Sequence, residues 1–297
     1  MSRKLSRLMA IDSPFPKQAS VLRLLEPPGS SSQSLYESVV SGTYDKPFIV
    51  DCWPWRYLHF DFHSVQSAMH LADPDKLCFA YTRKMMLFLL FNRTPRRILL
   101  LGLGGGSLAK FCYRWLPHSA VTAIEINPTI IALRKEFRIP EDDERFRVLC
   151  ADGSTYVAHL PRSKDVILVD ACDAQGVAPQ LDCIEFYENA RRCLSPGGVF
   201  VSNLCGDWKN CASHLRKIAD VFGDDLLALK VRDSRNLIVI AFKEPRAEFD
   251  WDRLQRMAID LKRHLGLNFE RYLRRMAQDW SLHKWHDTIA RSRARTA

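Results

Sequence analysis

The feature that most constrains the fold is an apolar segment that runs directly into a glycine-rich turn. Residues 98–107 read Ile-Leu-Leu-Leu-Gly-Leu-Gly-Gly-Gly-Ser. Gly102, Gly104 and Gly106 stand where a strand would become a helix, and glycine there permits a tight turn and lets a ligand approach the backbone closely. Glu125 ends the next apolar segment, where an acid can accept ribose hydroxyls. Turn and acid together predict a nucleoside-binding α/β domain.

From residue 97 onward, apolar segments of strand length alternate with segments of helical periodicity. The predicted strands lie near 98–102, 120–125, 145–150, 165–170 and 198–204, and the predicted helices near 107–115, 128–137, 154–160 and 181–194. A further helix is predicted over 76–92, before the first of these strands. Such alternation favours a parallel sheet with helices on both faces. Two further strands, 226–232 and 236–242, would close the sheet as a hairpin. This pattern is typical of the seven-stranded, Rossmann-like fold of class I S-adenosylmethionine methyltransferases.

The rest of the chain divides by composition. Residues 1–34 are rich in proline, glycine and serine and predict a flexible leader, whereas 35–75 contain β-rich segments and predict a small N-terminal β-hairpin unit. Residues 76–245 would form the Rossmann-like catalytic domain. Residues 246–297 show amphipathic periodicity and predict a basic helical C-terminal extension.

Composition excludes several classes of protein. The net charge is +9, but much of it lies in the last 52 residues, with twelve basic and seven acidic side chains, which is typical of a solvated helical face and does not favour nucleic-acid binding. The nine cysteines form no Cys-x-x-Cys pair, so we expect reduced thiols, no zinc site and a cytoplasmic location. The longest apolar run, residues 85–91, is too short to cross a membrane.

Three more carboxylates follow predicted strands. Asp152-Gly153 comes after the third strand, where in this fold a side chain can take the exocyclic amine of adenine; a helix N-cap is the alternative reading. Asp170 and Asp173 come after the fourth strand, three residues apart, with Gly176 behind them. Both can face one crevice, where they would bind a protonated amine and accept a proton as it reacts. No metal-ligand pattern is visible.

At these residues the chain resembles the spermidine synthase (polyamine aminopropyltransferase) family, in particular its divergent bacterial branch. The resemblance covers about residues 47–205. It implies transfer of an aminopropyl group from decarboxylated S-adenosylmethionine to a putrescine-like amine, with release of methylthioadenosine and without a metal. It further implies roles for seven residues: Glu125 for the ribose, Asp152 for the adenine, Asp170 as the base, Asp173, Tyr57 and Tyr187 for the amine, and Gln66 at the entrance.

The chain departs from the family pattern at two places. Members of the family carry an aspartate in the glycine turn that contacts the aminopropyl ammonium, and here Gly105 stands at that position. Phe79-Ala80 replaces a tyrosine followed by His or Gln. The nucleoside half of the expected site therefore matches the family better than the amine half.

Two other functions stay open at this point. An S-adenosylmethionine-dependent methyltransferase can use the same fold, and Gly105 favours it because no carboxylate would repel that of intact S-adenosylmethionine. A non-catalytic nucleoside- or polyamine-binding protein is the other alternative, although binding alone does not need Asp170 as a base. A homodimer is expected only by analogy with the family.

Overall fold

The computed structural model describes residues 6–14, 20–61, 64–172, 176–232, 234–245 and 249–279. By its contacts the chain divides into two compact units. The first contains residues 1–82 and 99–153, and the second contains residues 83–98 and 154–297. The predicted domain boundaries at residues 75 and 245 do not coincide with this division and stay a prediction.

The N-terminal part of the first unit is a five-stranded antiparallel sheet in the order β1-β2-β3-β4-β5. Its elements are β1 (Arg7–Asp12), β2 (Val21–Glu26), α1 (Ser32–Val40), β3 (Phe48–Cys52), β4 (Trp55–His59) and β5 (Val65–His70). The sheet packs on its own apolar cluster, which includes Leu22, Leu24, Phe48 and Val50. The predicted hairpin is thus two strands of a larger sheet.

The prediction of a flexible leader over residues 1–34 needs correction. β1 and β2 lie inside that segment and pair along their whole length, from Arg7 with Glu26 to Asp12 with Val21. The physical reason is the alternation in Val-Leu-Arg-Leu-Leu-Glu, which buries Leu22 and Leu24 completely. Pro28 and Gly29 lie in the turn after β2, and Ser32 already begins α1.

Seven strands form the second sheet, in the order β11-β12-β10-β9-β6-β7-β8. Its elements are α2 (Ala80–Met85), β6 (Arg97–Leu101), α3 (Ser107–Trp115), β7 (Ala120–Glu125), α4 (Pro128–Ala132), β8 (Phe146–Cys150), α5 (Gly153–Ala158), β9 (Lys164–Val169), α6 (Ile184–Cys193), β10 (Leu194–Cys205), α7 (Trp208–Phe222), β11 (Leu227–Lys230) and β12 (Asn236–Phe242). Short 3-10 helices cover Met86–Leu90 and Pro179–Leu181.

The pairing within this sheet confirms the predicted fold class. β7 pairs with β8, and β9 with β10, in parallel, whereas β12 runs antiparallel to both β10 and β11. The closing hairpin is therefore present. Val166, Ile167, Leu168 and Val169 are at most 1% exposed, as expected for a strand covered on both faces. In each parallel pair the strands end at a common edge: Glu125 ends β7 and Asp152 follows β8 in the first unit, and Asp170 follows β9 in the second.

Two predicted helices are shorter than expected. The helix near 76–92 is α2 followed by a 3-10 turn, and α4 ends at Ala132 rather than at 137. After Ala132 the chain continues in tight turns, and Arg138 adopts a positive φ of 52°. These turns bring Phe137 and Ile139 back toward the glycine-rich turn in the first unit.

The C-terminal extension is helical in its described part. α8 (Trp251–Leu265) is capped at its start by Asp250, whose side chain accepts from the Arg253 N–H, and is followed by Gly266 in the left-handed region. α9 (Phe269–Asp279) follows after three residues. The predicted helical residues 280–297 lie outside the described residues. No helix in the described ranges has the length and hydropathy needed to cross a membrane.

Candidate active site

The glycine-rich turn connects β6 to α3 in the first unit. Gly102, Gly104 and Gly106 all have positive φ angles, of 95°, 50° and 69°. The Gly106 N–H donates to the carbonyl of Leu103 over 2.8 Å, which closes the turn. At Gly106 a Cβ would lie 2.4 Å from Cγ1 of Ile139, so both conformation and space require glycine there. The predicted turn is present.

Glu125 ends β7 and is only 9% exposed. Its Oε2 accepts from the Leu103 N–H of the glycine-rich turn over 3.0 Å, and its Oε1 accepts from the Asn127 N–H over 2.8 Å. An ionised carboxylate has about four lone-pair sites, so two backbone donors leave acceptor capacity for hydroxyl groups. Glu125 is thus fixed to the glycine turn, and its binding of a ribose diol stays a prediction.

Ile126 is a surface residue that the sequence reasoning missed. It follows Glu125 directly and is 57% exposed, although it is a large apolar side chain. Asn127 caps α4 by accepting from the Thr129 N–H over 2.9 Å, and Pro128 begins the helix. The signal was present in Glu-Ile-Asn-Pro: a strand ends and a capped helix begins with one apolar residue between them.

Asp152 and Gly153 follow β8, as predicted. Asp152 is half-buried, and α5 begins at Gly153. A Cβ on Gly153 would lie 3.4 Å from Cδ2 of Leu101, which is ordinary contact, so this glycine is not required by space. The adenine-binding role of Asp152 stays a prediction.

The predicted amine-side residues of the first unit lie in its N-terminal sheet. Gln66 is on β5, half-buried, and its Nε2 donates to Oγ of Ser64 over 3.3 Å. Tyr57 is on β4, partly buried, with its ring stacked against Trp55 at a centroid distance of 6.5 Å. Burial raises the pKa of the Tyr57 hydroxyl. Both roles in substrate binding stay predictions.

In the second unit, Asp170 follows β9 directly. Its Oδ1 accepts from Nδ2 of Asn203 over 2.9 Å, and Asn203, near the end of β10, is only 3% exposed. Asp173 lies outside the described residues. Tyr187, on α6, is 1% exposed and packs edge-on against Phe200 with centroids 6.0 Å apart. Its ring therefore belongs to the hydrophobic core, and its predicted contact with substrate stays a prediction.

The expectation of reduced thiols needs correction at one place beside Asp170. Cys172 and Cys205 form a disulfide with their Cα atoms 6.4 Å apart, whereas the other seven cysteines are free. Sequence spacing did not reveal the pair because 33 residues separate the two thiols. They meet because β9 and β10 are neighbouring parallel strands. Cys172 follows the carboxyl-terminal end of β9, and Cys205 is the last residue of β10.

Within the described ranges, no group of three or more His, Cys, Asp or Glu side chains has the arrangement of a metal site.

Residues 78–223 match the family model described as the spermine/spermidine synthase domain. A polyamine aminopropyltransferase of Chromobacterium violaceum is 38% identical over 224 residues, which are 75% of this chain and 86% of that protein. The chain belongs to the spermine/spermidine synthase family.

Solved structures agree with this family's fold. A spermidine synthase in complex with the transition-state analogue AdoDATO has a TM-score of 0.54 at 16% identity, covering 88% of this chain and 89% of that one. Human methyltransferase-like protein 13 in complex with SAH has a TM-score of 0.58 at 26% identity, covering 64% of this chain and 93% of that one. The predicted resemblance to both the family and the methyltransferase fold is confirmed.

At Gly105, where the chain departs from the family pattern, neighbouring side chains leave no room for a Cβ. A Cβ on Gly105 would lie 2.6 Å from Oγ and 2.9 Å from Cβ of Ser67, and 3.0 Å from Cδ1 of Phe137. Oγ of Ser67 in turn lies 3.3 Å from Oγ of Ser107, the first residue of α3. The space in which a side chain at position 105 would begin is therefore filled by a serine of β5.

A buried lysine supports the same packing. Lys110, on α3, is 1% exposed, and its Nζ donates to the carbonyl of Phe137 over 2.7 Å. Burial lowers the pKa of Lys110 to about 8, against the opposing effect of Asp75. The bond holds the turn that carries Phe137 against Gly105, so the shape of the glycine-rich turn depends on residues from three elements of the first unit.

Proposed function

We propose that this protein is a polyamine aminopropyltransferase. It would move the aminopropyl group of decarboxylated S-adenosylmethionine to a putrescine-like amine and release methylthioadenosine. The observation that carries this proposal is the 38% identity to a polyamine aminopropyltransferase over 86% of that protein's length. The geometry of Glu125 and Asp170 supports it, since each carboxylate follows or ends a strand of the sheet and has a defined hydrogen-bond partner.

The nucleoside would be held by residues of the first unit. Glu125 would accept from the two ribose hydroxyls with the lone pairs that its backbone donors leave. Ile126, exposed beside it, would give an apolar contact to the purine, and Asp152 would accept from the exocyclic amine. The glycine-rich turn would let the ligand approach the backbone closely.

The reaction itself needs little chemistry from the protein. The amine nitrogen forms a bond to the propyl carbon next to the sulfonium, the carbon–sulfur bond breaks, and sulfur keeps the electron pair in methylthioadenosine. The nitrogen loses a proton, which Asp170 would take as general base. Asp173, by family resemblance, would bind the ammonium of the acceptor. The main tasks of the protein are to orient the amine and to hold it unprotonated at the sulfonium.

The two alternatives find less support. A methyltransferase would use intact S-adenosylmethionine. The best support for this alternative is Gly105, because no carboxylate there would repel the carboxylate of that substrate. The structural match to a methyltransferase reports the shared fold. A binding protein without catalysis would leave the hydrogen-bonded Asp170 without a task. We also expect, from the family and the composition, a homodimer and a cytoplasmic location, which sedimentation and fractionation would check.

The test is calorimetric titration with decarboxylated S-adenosylmethionine, intact S-adenosylmethionine and methylthioadenosine in parallel. It is followed by mass spectrometry of products with putrescine and related amines. We expect binding of the decarboxylated form and of methylthioadenosine. With an amine acceptor, we expect an aminopropylated amine and an equimolar amount of methylthioadenosine. A preference for intact S-adenosylmethionine with methyl transfer would replace the proposal by the methyltransferase reading. The absence of binding by all three would contradict both enzymes.

A further inference from the structure

A row of three polar side chains crosses the second unit behind Asp170. Asp170 follows β9, Asn203 lies in β10 and Asn236 begins β12. Nδ2 of Asn203 donates to Oδ1 of Asp170 over 2.9 Å, and Nδ2 of Asn236 donates to Oδ1 of Asn203 over 2.9 Å. Three strands thus contribute one side chain each to a continuous chain of hydrogen bonds.

The direction of this chain follows from the chemistry of its first member. An ionised carboxylate only accepts hydrogen bonds, so Asn203 must turn its amino group toward Asp170. Its carbonyl oxygen then points away and needs a donor, because Asn203 is 3% exposed and an unpaired buried oxygen is costly. Asn236 is that donor. Each amide therefore has one stable orientation, and hydrogen bonds in such a row strengthen one another.

We propose that Asn203 and Asn236 are positioning residues for aminopropyl transfer, which act by holding the carboxylate of Asp170 in one orientation. This inference rests on the proposed function, in which Asp170 takes the proton of the attacking amine. A base that rotates presents its oxygens to the nitrogen only part of the time, and small errors in placement cost rate rather than binding. Asn203 acts through its bond to Asp170, and Asn236 acts through Asn203.

The position of Asn236 allows a test that separates this role from simple packing. Asn236→Asp keeps the shape of the side chain but replaces its donor by an acceptor. Asn203 can then no longer satisfy both neighbours: it either turns its carbonyl oxygen toward Asp170 or leaves that oxygen facing the new carboxylate, so Asp170 is no longer held in one orientation. Asn236→Leu removes the donor without offering an acceptor, so Asn203 can keep its amino group on Asp170. Orientation therefore predicts that the isosteric, polar change is the more harmful one.

The matched control is Asn210→Asp. Asn210 is an exposed residue of α7 in the same unit, and the change adds the same charge. We expect kcat to fall by about 30-fold in Asn236→Asp and by only a few-fold in Asn236→Leu, in line with the cost of misplacing a reacting group. The KM for decarboxylated S-adenosylmethionine and the affinity for methylthioadenosine should stay within about 2-fold of the parent, since neither amide is proposed to touch the nucleoside. Asn210→Asp should match the parent in all of these.

A measurement that needs no activity tests the amide relay, the chain of hydrogen bonds from Asn236 through Asn203 to Asp170. The side-chain amide signals of Asn203 in a nitrogen-15 spectrum, identified by their loss in Asn203→Leu, should move in Asn236→Asp and remain in place in Asn210→Asp. Circular dichroism and thermal unfolding check that each variant folds, and the Asn236 pair carries the test if Asn203→Leu does not fold.

Equal activity of Asn236→Asp and Asn210→Asp would overturn the inference, as would a larger loss in Asn236→Leu than in Asn236→Asp. If the parent binds methylthioadenosine but transfers no aminopropyl group, the proposed function fails instead. In that case unmoved Asn203 signals in Asn236→Asp would overturn the amide relay as well, whereas moved signals would support its geometry alone.

Discussion

The two units of this protein prepare their parts of the chemistry in different ways. In the first unit, the acid Glu125 is held by two backbone N–H groups, one from the glycine-rich turn and one from its own following turn. In the second unit, Asp170 is held by the side chain of Asn203, which is held in turn by Asn236. Backbone donors are fixed once the turn forms, whereas side-chain donors depend on the pairing of separate strands.

This difference predicts different consequences of substitution. A carboxylate that is held by backbone N–H groups should tolerate substitution of the neighbouring side chains. It should be sensitive to substitution of the glycines, because only glycine adopts the turn without strain. A carboxylate that is held by a network of side chains should be sensitive to substitution of every member of that network, since removal of one partner leaves another unpaired.

The largest expected effect is on the second unit. Asp170→Asn should lower kcat by about 10³-fold, the range that a positioned general base supplies. The amide can still accept from Asn203, so the fold should remain and the affinity for methylthioadenosine should stay unchanged. Product formation with putrescine and calorimetry on the same preparation measure the two quantities. Full activity in Asp170→Asn would remove Asp170 from the mechanism and reduce the contrast between the units to one of packing.

The next effect is on the free energy of unfolding. The Cys172–Cys205 bond closes a segment of 33 residues, and a link of that length stabilises by about 2–4 kcal/mol, mainly by restricting the unfolded chain. The double variant Cys172→Ser with Cys205→Ser should lose about that amount in denaturant unfolding. Cys183→Ser, an exposed free cysteine of the same unit, is the control. A reductant should destabilise the parent but not the double variant; equal stability of all three proteins would contradict the bond.

On the first unit, Glu125→Gln should weaken methylthioadenosine binding by about 10-fold to 100-fold, since hydrogen bonds to a charged group are worth about 1.5–3 kcal/mol. The amide has one acceptor oxygen for two backbone donors, so it cannot serve both and the ribose. Glu144→Gln, at an exposed acid of the same unit, should leave the affinity unchanged. Unaltered binding in Glu125→Gln would mean that the carboxylate only holds the turn.

The same contrast explains what could be predicted from the sequence. The glycine-rich turn, Glu125 and the strands that carry them are coded by neighbouring residues, and the structure has them where the pattern predicts. The bond from Asn203 to Asp170 joins residues 33 positions apart, and the Cys172–Cys205 bond has the same separation. Both depend on β9 and β10 being neighbours, which local periodicity does not encode. The strands β1 and β2 were missed because proline-rich connections outweighed a short alternation.

Gly105 is predictable from the sequence only in part, and its substitution has the smallest expected effect on stability. The sequence shows that the family's aspartate is absent there, but only the packing of Ser67 shows why a side chain does not fit. Two opposing terms decide the stability of Gly105→Ala. Loss of freedom in the unfolded chain favours alanine by about 0.4–1 kcal/mol, whereas overpacking against Ser67 and Phe137 costs about 1–3 kcal/mol.

We therefore expect Gly105→Ala to be less stable than the parent by about 1 kcal/mol, because the overpacking term is the larger of the two. Ser67→Gly removes the two closest atoms, so the same alanine added to that background should cost less in denaturant unfolding. The double-mutant cycle isolates the contact from the loss of the Ser67–Ser107 pair, which both Ser67 variants share. An equal cost of Gly105→Ala in both backgrounds would show that Phe137, rather than Ser67 of β5, excludes a side chain at this position. The absence of the aspartate would then be explained by the turns that follow α4, which Lys110 holds through its bond to the carbonyl of Phe137.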